Sequence, residues 1–407
     1  MASHSGIGVR VDIRAARLGD FAVPIMSRRR VLALVSPIVG ALGVAVLVPT
    51  RALGQTAPPA LERPWMLGPF VKPSGGNPIL TPTTASQFRS PLDGALVHWE
   101  ETATFNPAAV VRGGKVYVLY RAEDATGELK IGGHTSRIGL AESSDGLRFT
   151  RRPAPVLFAR DDAQRRNESP GGVEDPRIVE TDDGRYVLTY TQWNRSVPRL
   201  AVATSRDLVT WEKHGPAFAK VGGHYLDVES KSGAIVTRVV GNRLVATRIN
   251  GKFWMYFSVP NVFLATSDNL IDWTPVEVEP GKPLPILSAR PGYFDSWLVE
   301  PGPPAILTDR GIVLLYNAGN SERYGDPTIP ARMYTAGQAL FDARNPVKLI
   351  DRTTRPFLRP TEAFERTGQY PEGTTFVEGL VPFGGRWLLY YGSADSRVGM
   401  ASAPIRR

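Results

Sequence analysis

The 407-residue chain contains no cysteine. Thiol catalysis is therefore excluded, and an oxidising compartment would add no disulfide, so the fold must hold by packing and strand pairing. Histidine is scarce: there are five, and His134, His214 and His224 show no His-x-x-x-His spacing, so they read as solvated or structural and no metal site is expected. No P-loop, Gly-x-Ser-x-Gly or dinucleotide fingerprint occurs in strand-to-helix context, so no cofactor is expected. Basic runs interleaved with stacking aromatics are also missing. Of the formal net charge of +9, five units belong to residues 1–54, which carry seven arginines and two aspartates. The remainder is mildly basic, which argues against a nucleic-acid partner.

One long apolar run exists, from Val31 to Val48. It follows Ser27-Arg28-Arg29-Arg30-Val31-Leu32, a twin-arginine pattern, and leads through Ala52-Leu53-Gly54 into the Pro-rich segment Gln55 to Pro64. The run lies at the lower limit for spanning a bilayer. The small-residue exit favours cleavage over anchoring, so residues 1–54 read as an N-terminal extension and Tat-type signal peptide, with Met26 as a candidate start. The expected destination is periplasmic or secreted, without stable membrane insertion after cleavage. Residues 55–69 read as a linker and 70–407 as one catalytic domain.

What is abundant is turn formers, forty glycines and thirty-five prolines, between runs rich in Val, Ile, Tyr and Trp. This composition predicts an all-β class. Five units share one order of parts. Each opens with a polar or small residue beside Pro or Gly: Asn106-Pro107, Asp175-Pro176, Ser232-Gly233, Pro301-Gly302 and Glu378-Gly379. Aromatic second strands follow at Lys115 to Arg121, Arg185 to Thr191, Lys252 to Ser258, Gly311 to Asn317 and Arg386 to Gly392. Third strands follow at Ile138 to Ser143, Leu200 to Ser205, Val262 to Ser267, Ala336 to Phe341 and Val398 to Ala403.

Short proline-bearing fourth pieces occur at Ala154 to Leu157, Gly215 to Phe218, Leu284 to Leu287 and Arg355 to Leu358. The fifth unit has none downstream, and Asn77-Pro78-Ile79-Leu80 at the other end supplies the missing copy. The expectation is a five-bladed β-propeller closed by an N-terminal strand, which removes the exposed edge.

In a propeller the first strand of every blade lines the central channel, so the five openings converge on one mouth. At or beside them stand Asn106, Glu174 with Asp175, Lys231, Glu300 and Glu378. Unpaired carboxylates gathered in a ring repel one another and are hard to explain as fold stabilisation. They shift one another's protonation upward, which suits the acid and base pair of glycoside hydrolysis. Trp193, Tyr225, Trp297 and Tyr316 lie where sugar-stacking faces are useful, although each taken singly reads more readily as core than as platform. Arg121 and Arg137 either hold an anion or pair with Glu123, Asp124 and the channel carboxylates.

Val173-Glu174-Asp175-Pro176-Arg177, Tyr190-Thr191, Pro301-Gly302-Pro303-Pro304 and Tyr390-Tyr391-Gly392-Ser393-Ala394-Asp395 together resemble glycoside hydrolase family 130, over nearly the whole chain from Asn77. The resemblance implies a five-bladed fold, inversion at the anomeric carbon and a β-mannoside oligosaccharide or glycan as partner. It implies that Asp175 is the proton donor, that Arg121, Arg137 and Lys231 hold positions used around phosphate by the phosphorylases, and that Asp395 binds sugar. The chain departs from the phosphorylase pattern: Phe257 and Ser258 replace a His-Arg pair, and Glu300 and Glu378 stand where small or neutral residues are usual. Added carboxylates repel phosphate and suit activation of water.

The reading is an inverting hydrolase of β-mannosidic, most simply β-1,2, linkages. Asp175, Glu300 and Glu378 are its catalytic groups, and Asn106, Arg121, Arg137, Glu174, Trp193, Lys231, Trp297 and Asp395 bind substrate. A phosphorylase with inorganic phosphate as co-substrate, a non-catalytic sugar-binding propeller and a fructosidase or arabinanase are the alternatives.

Overall fold

A computed structural model describes residues 61–406 apart from Leu129 and His224. The twin-arginine segment, the apolar run and His224 lie outside the described residues.

The domain is a five-bladed β-propeller of antiparallel blades. Blade 1 comprises Ala103–Arg112, Lys115–Gly127, His134–Ser143 and Thr150–Arg151. Blade 2 comprises Gly172–Glu180, Tyr186–Trp193, Pro198–Ser205 and Glu212–Pro216. Blade 3 is built on Ala234–Val240, Lys252–Phe257, Phe263–Ser267 and Thr274–Pro275, with Arg243–Ala246 forming an extra hairpin on its first strand. In blade 4 the first strand is split into Leu298–Pro301 and Ala305–Thr308, ahead of Gly311–Gly319, Tyr334–Phe341 and Leu349–Arg352. Blade 5 comprises Phe376–Phe383, Arg386–Ser393 and Arg397–Pro404.

The near-continuous apolar second strands follow from burial on both faces. In Lys115–Gly127, Val116, Val118 and Tyr120 point into one core while Leu119 and Tyr117 point into another, as the two-residue period of a strand requires. Five such cores separate neighbouring blades: 1 from 2, 2 from 3, 3 from 4, 4 from 5, and 5 from 1. The last of these, containing Val118, Leu388 and Val398, joins the two ends of the array.

The proline-bearing fourth pieces make the same contact in three blades. Leu157 bridges Ile138, Leu287 bridges Val262 and Leu358 bridges Ala336, and Leu80 bridges Val398 in the same way. The amide of Ile79 donates to Val398 (2.8 Å), and that of Val398 donates to Leu80 (3.1 Å). The regular part of each fourth strand begins earlier than the sequence pattern suggests, at Thr150–Arg151 in blade 1 for example.

Four blades also share a buried latch. A second-strand tyrosine donates to a carboxylate on the loop entering its own blade, and a cation closes the group. Tyr120 donates to Glu100 (2.8 Å), beside Arg151, and Tyr190 to Glu168 (2.8 Å), beside Lys213. Tyr316 donates to Asp295 (2.9 Å), beside Arg352 and Arg290, and Tyr391 to Glu365 (2.7 Å), beside Lys72. Blade 3 departs, since Tyr256 donates to the carbonyl of Pro346 (3.1 Å).

Candidate active site

Three of the five polar openings are β-bulges. The register slips between Phe105 and Pro107, between Glu174 and Arg177, and between Val377 and Gly379. The residues thrown out of the ladder are therefore Asn106, Asp175 with Pro176, and Glu378. A bulge re-aims a side chain that regular pairing would send into a blade interface. Asn106 (φ 45°), Asp175 (φ 48°), Ser232 (φ 60°) and Asp395 (φ 46°) all have left-handed backbone conformations, a strain that only a surrounding structure can sustain and that concentrates at functional sites.

Arg121 is the hub of the blade 1 and 2 side. Its Nη2 lies 2.6 Å from Glu123 Oε1 and 2.8 Å from Glu174 Oε1, its Nη1 donates to Asp175 Oδ1 (3.2 Å), and its Nε donates to Ser136 (3.1 Å). Its guanidinium also covers the Phe105 ring at 4.7 Å. Asn106 donates to the same Asp175 oxygen (2.8 Å). On the far side, Arg177 binds three carbonyls, of Gly302 (3.0 Å), Pro301 (2.9 Å) and Asp175 (3.2 Å), and approaches Glu378 Oε1 at 2.9 Å. Lys231 Nζ lies 3.3 Å from Glu300 Oε1, which also accepts a hydrogen bond from Ser232. Asn317 exchanges two hydrogen bonds with the backbone of Val377 (2.7 and 3.1 Å), fixing the strand at Glu378.

The carboxylates are thus not the unpaired ring expected from sequence: three cations are threaded among them, because bare charges at this depth would be too costly. Acid still exceeds base. Glu123, Glu174, Asp175, Glu300, Glu378 and Asp395 share one field with Arg121, Arg177 and Lys231. Burial raises Glu174 to about 7 despite Arg121, with Asp175 and Glu123 pushing the same way. Burial likewise raises Asp395 to about 6. Glu378, fully buried, is pushed well above the usual carboxylate range by burial, with Asp175 and Glu300 adding to the push against Arg177. Neither Glu378 oxygen, nor Asn106 Oδ1, accepts a hydrogen bond from a described residue; the Arg177 approach is close but poorly aligned. Asp175 moves the other way: burial would raise it, but Arg121, then Lys231 and the Asn106 amide, hold it low. The two neighbours on Arg121 are thus pushed in opposite directions, Glu174 up and Asp175 down.

Asp395 lies in the same field, and its carbonyl accepts from Gln369 (3.0 Å), which also donates to Glu123 (2.9 Å). Arg137 lies apart, paired with Asp124 and set over the Phe88 ring at 5.7 Å. Trp193 is half-buried and donates to the carbonyl of Gly132 (2.9 Å). Trp297 is exposed and packs edge-on against Tyr334 (5.7 Å), whose hydroxyl is pushed up by burial, then by Tyr370, Glu300 and Asp395. Tyr225 and Tyr316 belong to inter-blade cores and offer no sugar platform. Phe257 is likewise core, and Ser258 donates its amide to the carbonyl of Lys231 (2.7 Å). Sequence reading quoted Arg177 in its motif, Ser232 in an opening and Asn317 at a strand end without seeing their work, and it missed Tyr334 and Gln369. Arg177 carried a signal: an arginine two places after the bulge residue, in a strand buried on both faces.

The family description "beta-1,4-mannooligosaccharide phosphorylase" of glycoside hydrolase family 130 matches residues 79–407. The chain belongs to glycoside hydrolase family 130. It is 32% identical over 307 residues to a 1,2-beta-oligomannan phosphorylase of Thermoanaerobacter sp. (strain X514), covering 74% of this chain and 90% of that one. A glycosyl hydrolase from Bacteroides ovatus superposes with a TM-score of 0.82 at 51% identity, covering 84% of this chain and 95% of the other. Another solved structure, from a study reporting that the GH130 family of mannoside phosphorylases contains glycoside hydrolases that target beta-1,2 mannosidic linkages in Candida mannan, superposes with a TM-score of 0.83. It is 49% identical, with 85% and 98% of the two chains covered. This family 130 protein is accordingly a glycoside-processing enzyme whose relatives include both phosphorylases and hydrolases of β-1,2-mannosides.

Proposed function

We propose that the enzyme hydrolyses β-1,2-mannosidic linkages with inversion. The observation that carries this is the imbalance at the mouth. Six carboxyl groups face three cations, all three already engaged, and the buried acceptors Glu378 Oε1, Glu378 Oε2 and Asn106 Oδ1 lack donors. A phosphate adds negative charge to a cluster whose described cations are already paired with carboxylates, so it would be disfavoured there. A mannoside brings hydroxyl donors and no charge. The fourth cationic position, Arg137, is spoken for by Asp124.

Within this reading Glu300 is the general base. It accepts a hydrogen bond from Ser232 and lies 3.3 Å from Lys231 Nζ, two contacts that fix its orientation. Glu378, whose carboxyl burial pushes well above the usual range, grips a sugar hydroxyl instead. The leaving oxygen takes its proton from the Glu174 and Asp175 pair, which titrates as a unit on Arg121. Asp175, the bulged residue, delivers the proton, and Glu174 holds it in the free enzyme. Asn106, Lys231 and Asp395 orient hydroxyls, and export through the N-terminal twin-arginine segment would place the enzyme with extracellular glycans.

Incubation with β-1,2-mannobiose, with and without inorganic phosphate, tests the proposal. Phosphate-independent release of two mannoses, the first appearing as the α-anomer by NMR, is the expected result. Mannose 1-phosphate formed only in the presence of phosphate would replace hydrolysis by phosphorolysis.

A further inference from the structure

Aromatic side chains among the described residues are almost all covered. Among the described residues the exposed large apolar side chains are mostly scattered aliphatics, and the three aromatic ones are Tyr293 (40% exposed), Trp297 (40%) and Tyr324 (62%). All three sit on two loops of blade 4: the one entering its first strand at Leu298 and the one joining Gly319 to Tyr334. In blade 1 the corresponding ends carry Asn106, near the start of the first strand, Arg121 and Glu123, late in the second, and Ser136, early in the third. The two blade 4 loops are therefore on the mouth side of the wheel.

They are built to present these rings. The amide of Gly292 donates to the carbonyl of Tyr324 (2.7 Å), tying one loop to the other. The entering loop is nailed down at Asp295, which receives Tyr316, Arg290 and Arg352. The second loop is stapled by Asn320, whose amide donates to the carbonyls of Ile329 (2.7 Å) and Asp326 (3.1 Å). Arg290 covers one face of Tyr293 at 4.4 Å. Trp297 connects the series inward through Tyr334 to the field of Glu300 and Asp395.

We infer that Tyr293 and Tyr324 form an outer binding track for an extended β-mannoside chain, continuing from Trp297 at the mouth across blade 4. Rigid, exposed aromatic faces leading away from a polar pocket suit a succession of sugar rings, whose apolar faces stack while their hydroxyls stay in water. The natural substrate is then an oligosaccharide or polysaccharide longer than the disaccharide that the charged mouth can engage. The inference rests on the mannoside reading of the site.

Tyr293→Ala, Tyr324→Ala and the double variant, in the full chain, test it against β-1,2-mannobiose and longer β-1,2-mannooligosaccharides. Expected is unchanged kcat/KM on mannobiose and a roughly tenfold loss in the double variant on the longer chains, carried by KM, the size of one or two aromatic contacts. Tyr324→Phe should keep wild-type behaviour, since the face and not the hydroxyl is used. Equal effects on short and long substrates, or none on either, overturn the track. Calorimetric titration of the Asp175→Asn variant with the longer chains, with and without the two tyrosine changes, separates the two readings. Binding weakened by the tyrosine changes without any wild-type cleavage would remove hydrolysis and keep the track, whereas cleavage with unaltered affinity would do the reverse.

Discussion

Two sets of buried carboxylates occupy this propeller, and they are assembled by opposite rules. At the latches, Glu100, Glu168, Asp295 and Glu365 each receive a tyrosine hydroxyl and at least one cation of their own. At the mouth, six carboxyls divide three cations, and Glu378 is left without a single hydrogen-bond donor among the described residues. A buried carboxyl that receives donors is compatible with stability, whereas one that receives none opposes it. The difference teaches where to look for chemistry: the latches hold the loops, and the mouth keeps an acid excess that folding alone would not select.

The sharpest break of that comparison comes from substituting one group of each kind. Asp175→Asn or Glu300→Gln should lower turnover by two to four orders of magnitude, the range for losing a general acid or base. Both changes keep the side chain's shape and the protein should stay folded, with Asp175→Asn losing near neutral pH the stability that its ionised form draws from Arg121, Lys231 and Asn106. Steady-state kinetics beside calorimetry checks both halves, and a Glu300→Gln enzyme of wild-type activity would end the base assignment.

Glu365→Ala should behave in the contrary way. It strands Lys72 and Tyr391, so urea unfolding should show a loss of about 3 kcal/mol, while kcat measured well below the transition stays within a few-fold of wild type. If Glu365→Ala abolished turnover in a folded protein, the latch would belong to the active site and the distinction would fail.

How much of this was legible in the sequence follows the same divide. The bulges were legible, because a polar residue beside Pro or Gly interrupts an apolar strand at Asn106-Pro107, Asp175-Pro176 and Glu378-Gly379. The copy of the fourth piece at Leu80 was legible too. Its geometric equivalence with Leu157, Leu287 and Leu358 predicts that Leu80→Ala costs about 2–3 kcal/mol in urea unfolding, as for a buried leucine elsewhere. Partnership was not legible. Arg121 meets Glu174 and Asp175 from another blade, and Arg177 reaches Pro301, Gly302 and Glu378 across the channel. Nothing in local spacing marks such pairs. The second strand of blade 1 was expected to stop at Arg121 and runs to Gly127, because Arg121 and Arg137 neutralise Glu123 and Asp124 and let an acidic stretch remain buried in a strand. Latch acids such as Glu168 and Asp295 read as ordinary loop charges for the same reason.

The smallest effect separates the two sets by proton linkage. Glu174, raised to about 7, and Asp395, raised to about 6, stay protonated in the folded protein at pH values where the unfolded chain has already released those protons. Between roughly pH 4 and 7 the native state therefore binds more protons, and stability must fall as pH rises through that window, then level off. Asp175 acts in the opposite sense: its depressed value adds stability above the ordinary aspartate range, lost only as pH falls below it. Glu174→Gln should thus gain on the wild type by about 1–2 kcal/mol at pH 8 relative to pH 5, since one pKa unit is worth about 1.4 kcal/mol and the pair on Arg121 shares its shift. Urea midpoints at the two pH values decide it. Parallel pH dependence in Glu174→Gln and wild type would mean that the mouth stores no proton at Glu174, and the donor would have to be protonated by the substrate complex itself.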